Sequence, residues 1–237
     1  MKLLALDTST WVLSAAAGEP GGPISLHEEE VPRGAHSKRL PGALVERLEA
    51  AGFTLPELDG LVVGLGPGSF TGLRSGLATL KALAYAAQLP LVGHSSLAAL
   101  AQAALPHCAE GDHLIPTINA RRGQVYAASF RVQGGALSRT GEDEVLDPAA
   151  LAARLAPGDL LFGDGAEVSP LDTHPARQGA LPRAPSAAGL IALCAGETLR
   201  FDREAVMALA PGYVRRSEAE EALADGSLKI PGLKKAP

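Results

Sequence analysis

Apolar and polar positions follow two different periods along this chain, and the places where the period changes divide it into elements. Residues 3–6 form an unbroken apolar run closed by Asp7, Thr8, Ser9 and Thr10, the signature of a short buried strand with a polar end. Residues 12–17 and 24–29 can follow as antiparallel strands around the Gly- and Pro-rich turn at 18–23. From residue 37 to 51 the period becomes helical, with Leu40, Leu44, Leu48 and Ala51 on one stripe and Gly52 as the stop. Pro41 fits such a helix only in its first turn. Residues 61–65 read as a second buried strand. A glycine-rich segment then feeds a helix reaching residue 87, with Leu73, Leu77, Leu80 and Ala84 on one face, before residues 91–93 return as a strand.

The second half repeats these ingredients. A helical link at 96–104 leads to strands at 114–118 and 124–132 around a turn at Arg122-Gly123, with a further strand at 159–162 and helices at 148–155 and 186–200. Residues 133–144 hold Gly134, Gly135 and Gly141 among polar residues and read as loop. At 237 residues the chain suits two compact domains packed without a linker, placed at 1–100 and 101–226 with a tail at 227–237.

The net charge of -5, with no long basic run beyond Lys234-Lys235, lacks the footprint of an independent nucleic-acid binder. Cys108 and Cys194 have no CxxC spacing and read as small core thiols rather than zinc ligands or a disulfide. None of the histidines forms a pair or Cys/His cluster of metal-site spacing, so no metal is assigned, and His36 reads as a surface or capping residue. Asp7 interrupts the N-terminal apolar run before a signal-like core forms, and no segment reaches the ~20 apolar residues of a membrane span. A reducing cytoplasm is the expected location.

The most informative stretch runs from Gly66 through Pro67, Gly68, Ser69, Phe70 and Thr71 to Gly72, Leu73, Arg74, Ser75 and Gly76. Each glycine inside a helix costs roughly 1 kcal/mol relative to alanine, so Gly72 and Gly76 imply a close approach by a phosphate or another helix. Gly68 and Ser69 can seat an anion at the helix N-terminus, and Asp7, Thr8 and Ser9 can offer a carboxylate and hydroxyls to a magnesium-bound phosphate, or simply end a strand. The order GxxxxGK[ST] of a P-loop is absent. Arg121 and Arg122 can bind phosphate or carboxylate, or pair with acidic neighbours. Phe162-Gly163-Asp164-Gly165 reads as a tight turn or as backbone approaching a nucleotide base. No nucleophile elbow is present.

Four segments together resemble the TsaB (YeaZ) family: LALDTST, GLGPGSFTGLRSGLATLKALA, NARRGQVYAASF and APGYVRRSEAE. The resemblance implies the two-domain α/β fold of actin, sugar kinases and heat-shock chaperones (the ASKHA, RNase H-like class) with mixed central sheets. It also implies a non-catalytic accessory role in bacterial synthesis of threonylcarbamoyladenosine on tRNA, beside the anticodon. Its partners would be a catalytic paralogue, TsaD, and an ATPase, TsaE; the weak basic footprint expects tRNA to be reached only through the complex, and an apolar helix face left uncovered would give a homodimer when the chain is alone. The paralogue carries metal-binding histidines in an HLEGH-like segment, where this chain has Ser96 and Leu100. The family's arginine-bearing turn usually begins with aspartate and begins here with Asn119.

No cofactor is called for, ATP or ADP at the subunit interface being the one placement left open. The resemblance also implies that the first two helices dock the paralogue. Phe70, Leu73, Leu77 and Leu80 would divide between core and partner, with Gly72 and Gly76 forming a flat strip and Arg74 and Lys81 at the rim. The competing readings are an ATP-dependent phosphotransferase of the actin-like class and a glycoprotease-like metallopeptidase; a self-associating binding module is a third.

Overall fold

The computed structural model describes residues 1–32 and 36–215. The His36 side chain, the expected tail at 227–237 and the end of the APGYVRRSEAE motif lie outside the described residues.

The first sheet is built on β1 (Leu3–Asp7), flanked on one side by antiparallel β2 (Val12–Gly18) and β3 (Ile24–Glu30). On its other side run parallel β4 (Gly60–Gly64) and β5 (Leu91–His94), giving the order β3-β2-β1-β4-β5. The unbroken apolar run of β1 has a direct cause: both faces of the strand are covered. Leu4 and Leu6 point with Leu13, Leu61 and Val63 into a core closed by α1 (His36–Ala51) and α2 (Phe70–Ala87). Leu3 and Ala5 point the other way, against Leu190 and Ile191 of a short helix at 187–193.

The second sheet has the order β8-β7-β6-β9, with β6 (His113–Arg121), β7 (Gln124–Gln133), β8 (Ala136–Leu146) and β9 (Asp159–Phe162). One face carries α3 (Ser96–Ala104), through Leu97 and Leu100 against Leu114, Tyr126 and Phe130. The other packs on α4 (Pro148–Ala152) through Leu151. Two further helices among the described residues are α5 (Ala187–Leu193) and α6 (Arg203–Ala208).

Four expectations change. Residues 136–144, expected within the loop at 133–144, lie instead in β8, the longest strand among the described residues: it is an edge strand, so its polar residues sit where an edge tolerates them. The helix expected at 186–200 ends at Leu193, and Gly196 reverses the backbone at φ 82°. Pro41 lies in the second turn of α1 rather than the first. Finally, packing does not divide at residue 100, because α5 and α6, from the second half, pack on the first sheet and on α2. Helices α3 and α5 meet between the two sheets at Gly189, where any Cβ would collide with the Ala99 carbonyl oxygen.

Candidate functional site at the end of the first strand and the cleft beside it

The polar end of β1 turns inward. Asp7 is 1% exposed; its Oδ1 accepts the Ser9 N–H at 2.8 Å and the Ser9 hydroxyl at 2.6 Å. Its Oδ2 accepts the Ser96 hydroxyl at 2.6 Å, and Ser96 Oγ in turn accepts the Gly66 N–H at 3.1 Å. Thr8 donates its hydroxyl to the Gly72 carbonyl at 2.9 Å. The Ser9 carbonyl accepts the Ser69 N–H at 2.6 Å, while the Ser69 hydroxyl caps its own helix by accepting the Gly72 N–H at 3.3 Å. The residues expected to handle phosphate or magnesium, Asp7, Thr8, Ser9, Gly68 and Ser69, therefore brace one another.

The glycines explain why they can. A Cβ at Gly68 would strike the Ser9 carbonyl, one at Gly72 the Thr8 carbonyl, and one at Gly76 the Thr8 hydroxyl. The close approach foreseen for a phosphate or partner helix is made by the chain's own first strand. Ser96 is the keystone of this arrangement. Its replacement by alanine strips a donor from Asp7 and an acceptor from Gly66, both buried, and is expected to cost about 2 kcal/mol, read as a lower melting temperature.

The expected partner strip on α2 is corrected by the same packing. Gly72, Leu73, Gly76, Leu77 and Leu80 are buried inside the chain, because that side of α2 faces β1 and β4. Arg74 and Lys81 hold the C-terminal segment: Arg74 Nε donates to the Tyr213 hydroxyl at 2.9 Å, with its guanidinium 3.8 Å from the Phe70 ring centre, and Lys81 Nζ donates to the Met207 carbonyl at 2.6 Å. Phe70 stays 40% exposed at the mouth of the cleft. The exposed side of α2 carries Thr71, Ala78, Ala82 and Tyr85, and the neighbouring α1 exposes Pro41 and Val45.

Between the two sheets lies a cleft of about 1300 Å³, walled by the 67–73 segment, the β6–β7 turn, Trp11, Asp164, Arg183 and residues 212–215. Arg121 and Arg122 hold left-handed backbone at φ 62° and 53°, and the Arg121 N–H donates to Asn119 Oδ1 at 2.8 Å. Asn119 thus keeps an acceptor for the turn without a carboxylate's charge. Asp164, which the sequence presented as part of a turn, is the carboxylate that spans the cleft floor. Its Oδ1 accepts the Asn119 N–H at 2.8 Å and its Oδ2 the Trp11 indole N–H at 3.2 Å.

Burial raises the Asp164 pKa, outweighing the lowering by the Asn119 and Trp11 hydrogen bonds. A raised folded value means that this group's contribution to stability is full below the unfolded value of about 3.9 and is lost as pH rises through the folded one. Between pH 4 and 7 the native chain should therefore lose more stability than Asp164→Asn in urea unfolding; parallel profiles would refute this assignment.

A second cluster escaped sequence spacing altogether. His94, at the end of β5, meets Cys194 and Glu197, and none of the three lines the cleft. Burial lowers the His94 pKa against an opposing pull from Glu197, and it pushes the Cys194 thiol up to about 12, with Glu197 adding to the effect.

The family model described as TsaD, tRNA N6-adenosine threonylcarbamoyltransferase, matches residues 30–222. The crystal structure of a Pseudomonas aeruginosa protein with similarity to peptidase YeaZ superposes with a TM-score of 0.73 at 32% identity, covering 90% of this chain and 99% of that one. This chain belongs to the TsaB (YeaZ) family. Escherichia coli TsaB is 34% identical over 65% of this chain and 66% of its own length, and Haemophilus influenzae TsaB is 39% identical over 53% and 52%. The matched segment thus spans less than two thirds of either relative. TsaB (YeaZ) membership agrees with the expected α/β class, and the chain carries its two mixed sheets. Among the described residues, no helix is long and apolar enough to cross a membrane.

Proposed function

We propose that this chain takes part in the biosynthesis of threonylcarbamoyladenosine on tRNA as a non-catalytic accessory subunit. It would work in the cytoplasm beside a catalytic paralogue, TsaD, and an ATPase, TsaE, meeting tRNA only within their complex. Involvement in that pathway is supported by the curated TsaB relatives and by the matching family model.

One observation carries the non-catalytic reading. At the two positions where the paralogue would hold metal-binding histidines, Ser96 is fully buried and locked between Asp7 and Gly66, and Leu100 is buried in the second core. Neither is an imidazole, and neither faces the cleft. The phosphotransferase alternative meets a similar obstacle, since the groups it would need are already engaged: the Thr8 hydroxyl by the Gly72 carbonyl, the Ser9 hydroxyl by Asp7, and the Ser69 N–H by the Ser9 carbonyl.

The docking role is supported by the exposed side of α1 and α2, where Val45 is 53% exposed and Tyr85, with the Arg203 guanidinium 5.0 Å from its ring centre, is 47% exposed amid small alanines. Exposed apolar residues of this kind on paired helices suit a helical partner. In this reading the free chain pairs with itself through that face and exchanges its copy for TsaD. Sedimentation of the chain titrated with TsaD tests the idea: the homodimer should give way to a one-to-one heterodimer. A homodimer that persists at saturating TsaD would count against it.

A further inference from the structure

His94 Nε2 stands 3.5 Å from Cys194 Sγ and 3.5 Å from Glu197 Oε1, and the three atoms lie within 4.8 Å of one another. A tetrahedral zinc ion has Zn–S near 2.3 Å and Zn–N and Zn–O near 2.0–2.2 Å. Those radii set the ligand-to-ligand edges at roughly 3.3–3.6 Å, so both imidazole edges already have the length that a shared ion requires.

We infer that His94, Cys194 and Glu197 form a binding site for a thiophilic divalent cation, Zn²⁺ above all, with a fourth position open on the solvent side.

The thiol reaches either the Leu190 carbonyl or His94 at 3.5 Å, and the single nitrogen Nε2 faces both the thiol and the carboxylate. One ring nitrogen cannot accept a proton from sulfur and donate one to oxygen at the same time. A cation at the centre answers all three groups. The donor set of one sulfur, one imidazole nitrogen and one carboxylate oxygen belongs to zinc rather than to magnesium or calcium, which take oxygen ligands.

The chemistry of loading is simple. His94 coordinates through the lone pair of the neutral imidazole, and Cys194 gives its thiol proton to water as the metal–sulfur bond forms. Cys194 and His94 are largely shielded, while Glu197 is accessible, so the open position lies beside the carboxylate.

The location assigns a structural task. β5 is the edge strand of the first sheet, whereas Cys194 and Glu197 follow α5 in the second half of the chain. The ion would pin that returning segment to the edge strand. Because the cluster lies outside the cleft, the site is independent of the proposed accessory role, and its failure would leave that role standing.

Cobalt(II) alone, titrated into the tag-free full chain, provides the test. One equivalent should bind with a near-ultraviolet thiolate-to-cobalt charge-transfer band, be displaced by Zn²⁺, and raise the melting temperature. Cys194→Ser should abolish the band and Cys108→Ser should leave it intact. Glu197→Gln changes an accessible side chain and should weaken Co²⁺ binding about 10-fold or more, as should His94→Gln. Absence of the band at saturating Co²⁺ would overturn the site, as would its persistence in Cys194→Ser. Undiminished affinity in both Glu197→Gln and His94→Gln would do the same.

Discussion

Replacing Gly72 with alanine should destabilise the folded chain by about 3 kcal/mol or more. The new methyl would be driven into the Thr8 carbonyl, a backbone atom of the buried strand end that cannot swing aside. In a chain of this size that loss lowers the melting temperature by about 6–12 °C. Gly42 offers the internal control. It lies on the exposed side of α1 with its nearest atoms 3.8 Å from an added Cβ, so Gly42→Ala should stabilise by roughly 0.5–1 kcal/mol. If the two alanine variants melted alike, the contact between β1 and α2 would be misplaced. The same geometry reassigns Gly76: a bulky residue there would act first on the fold, through Thr8, and only secondarily on pairing.

The second large effect concerns association. Val45→Asp combined with Ala82→Arg puts two charges on the open side of α1 and α2 without touching a buried contact. If this side docks TsaD, the double variant should bind it at least ~30-fold more weakly, the equivalent of about 2 kcal/mol for a hot-spot region. Its own melting curve should move by less than about 0.5 kcal/mol. Calorimetric titration reads the first quantity and thermal unfolding the second. Unchanged affinity would send the search for the docking surface to another face.

Much of the architecture was legible because its periods are clean. The apolar run 3–6 and the stripe Leu73, Leu77, Leu80 and Ala84 each permit one secondary structure and one buried face, and both lie where expected. The strand at 136–146 was missed because, on the side where Leu137 and Val145 meet the core, the positions between them are Arg139, Gly141 and Asp143, so no hydrophobic alternation appears. The helix after Ser186 was overextended because Gly196, which ends it, looks in sequence like any tolerated interior glycine.

The site was legible in identity but not in direction. Spacing put hydroxyls, a carboxylate and glycines at one strand end and one helix start. It could not show that they satisfy each other, since the Ser96 hydroxyl that completes the set is 89 residues from Asp7. Asp164 was hidden for a related reason: a carboxylate between two glycines looks like turn chemistry until Trp11, 153 residues away, is seen donating to it. The grouping of His94 with Cys194 spans 100 residues and leaves no local motif at all.

The central claim is that this chain supports a transferase without being one. Its most direct test is reconstitution on unmodified tRNA with threonylcarbamoyl-adenylate, TsaD, TsaE and ATP, with threonylcarbamoyladenosine quantified by mass spectrometry after nuclease digestion. The account predicts modification when the chain is present, loss of it when the chain is omitted, and none from the chain alone. Modification by the chain without TsaD, or undiminished modification without the chain, would contradict it.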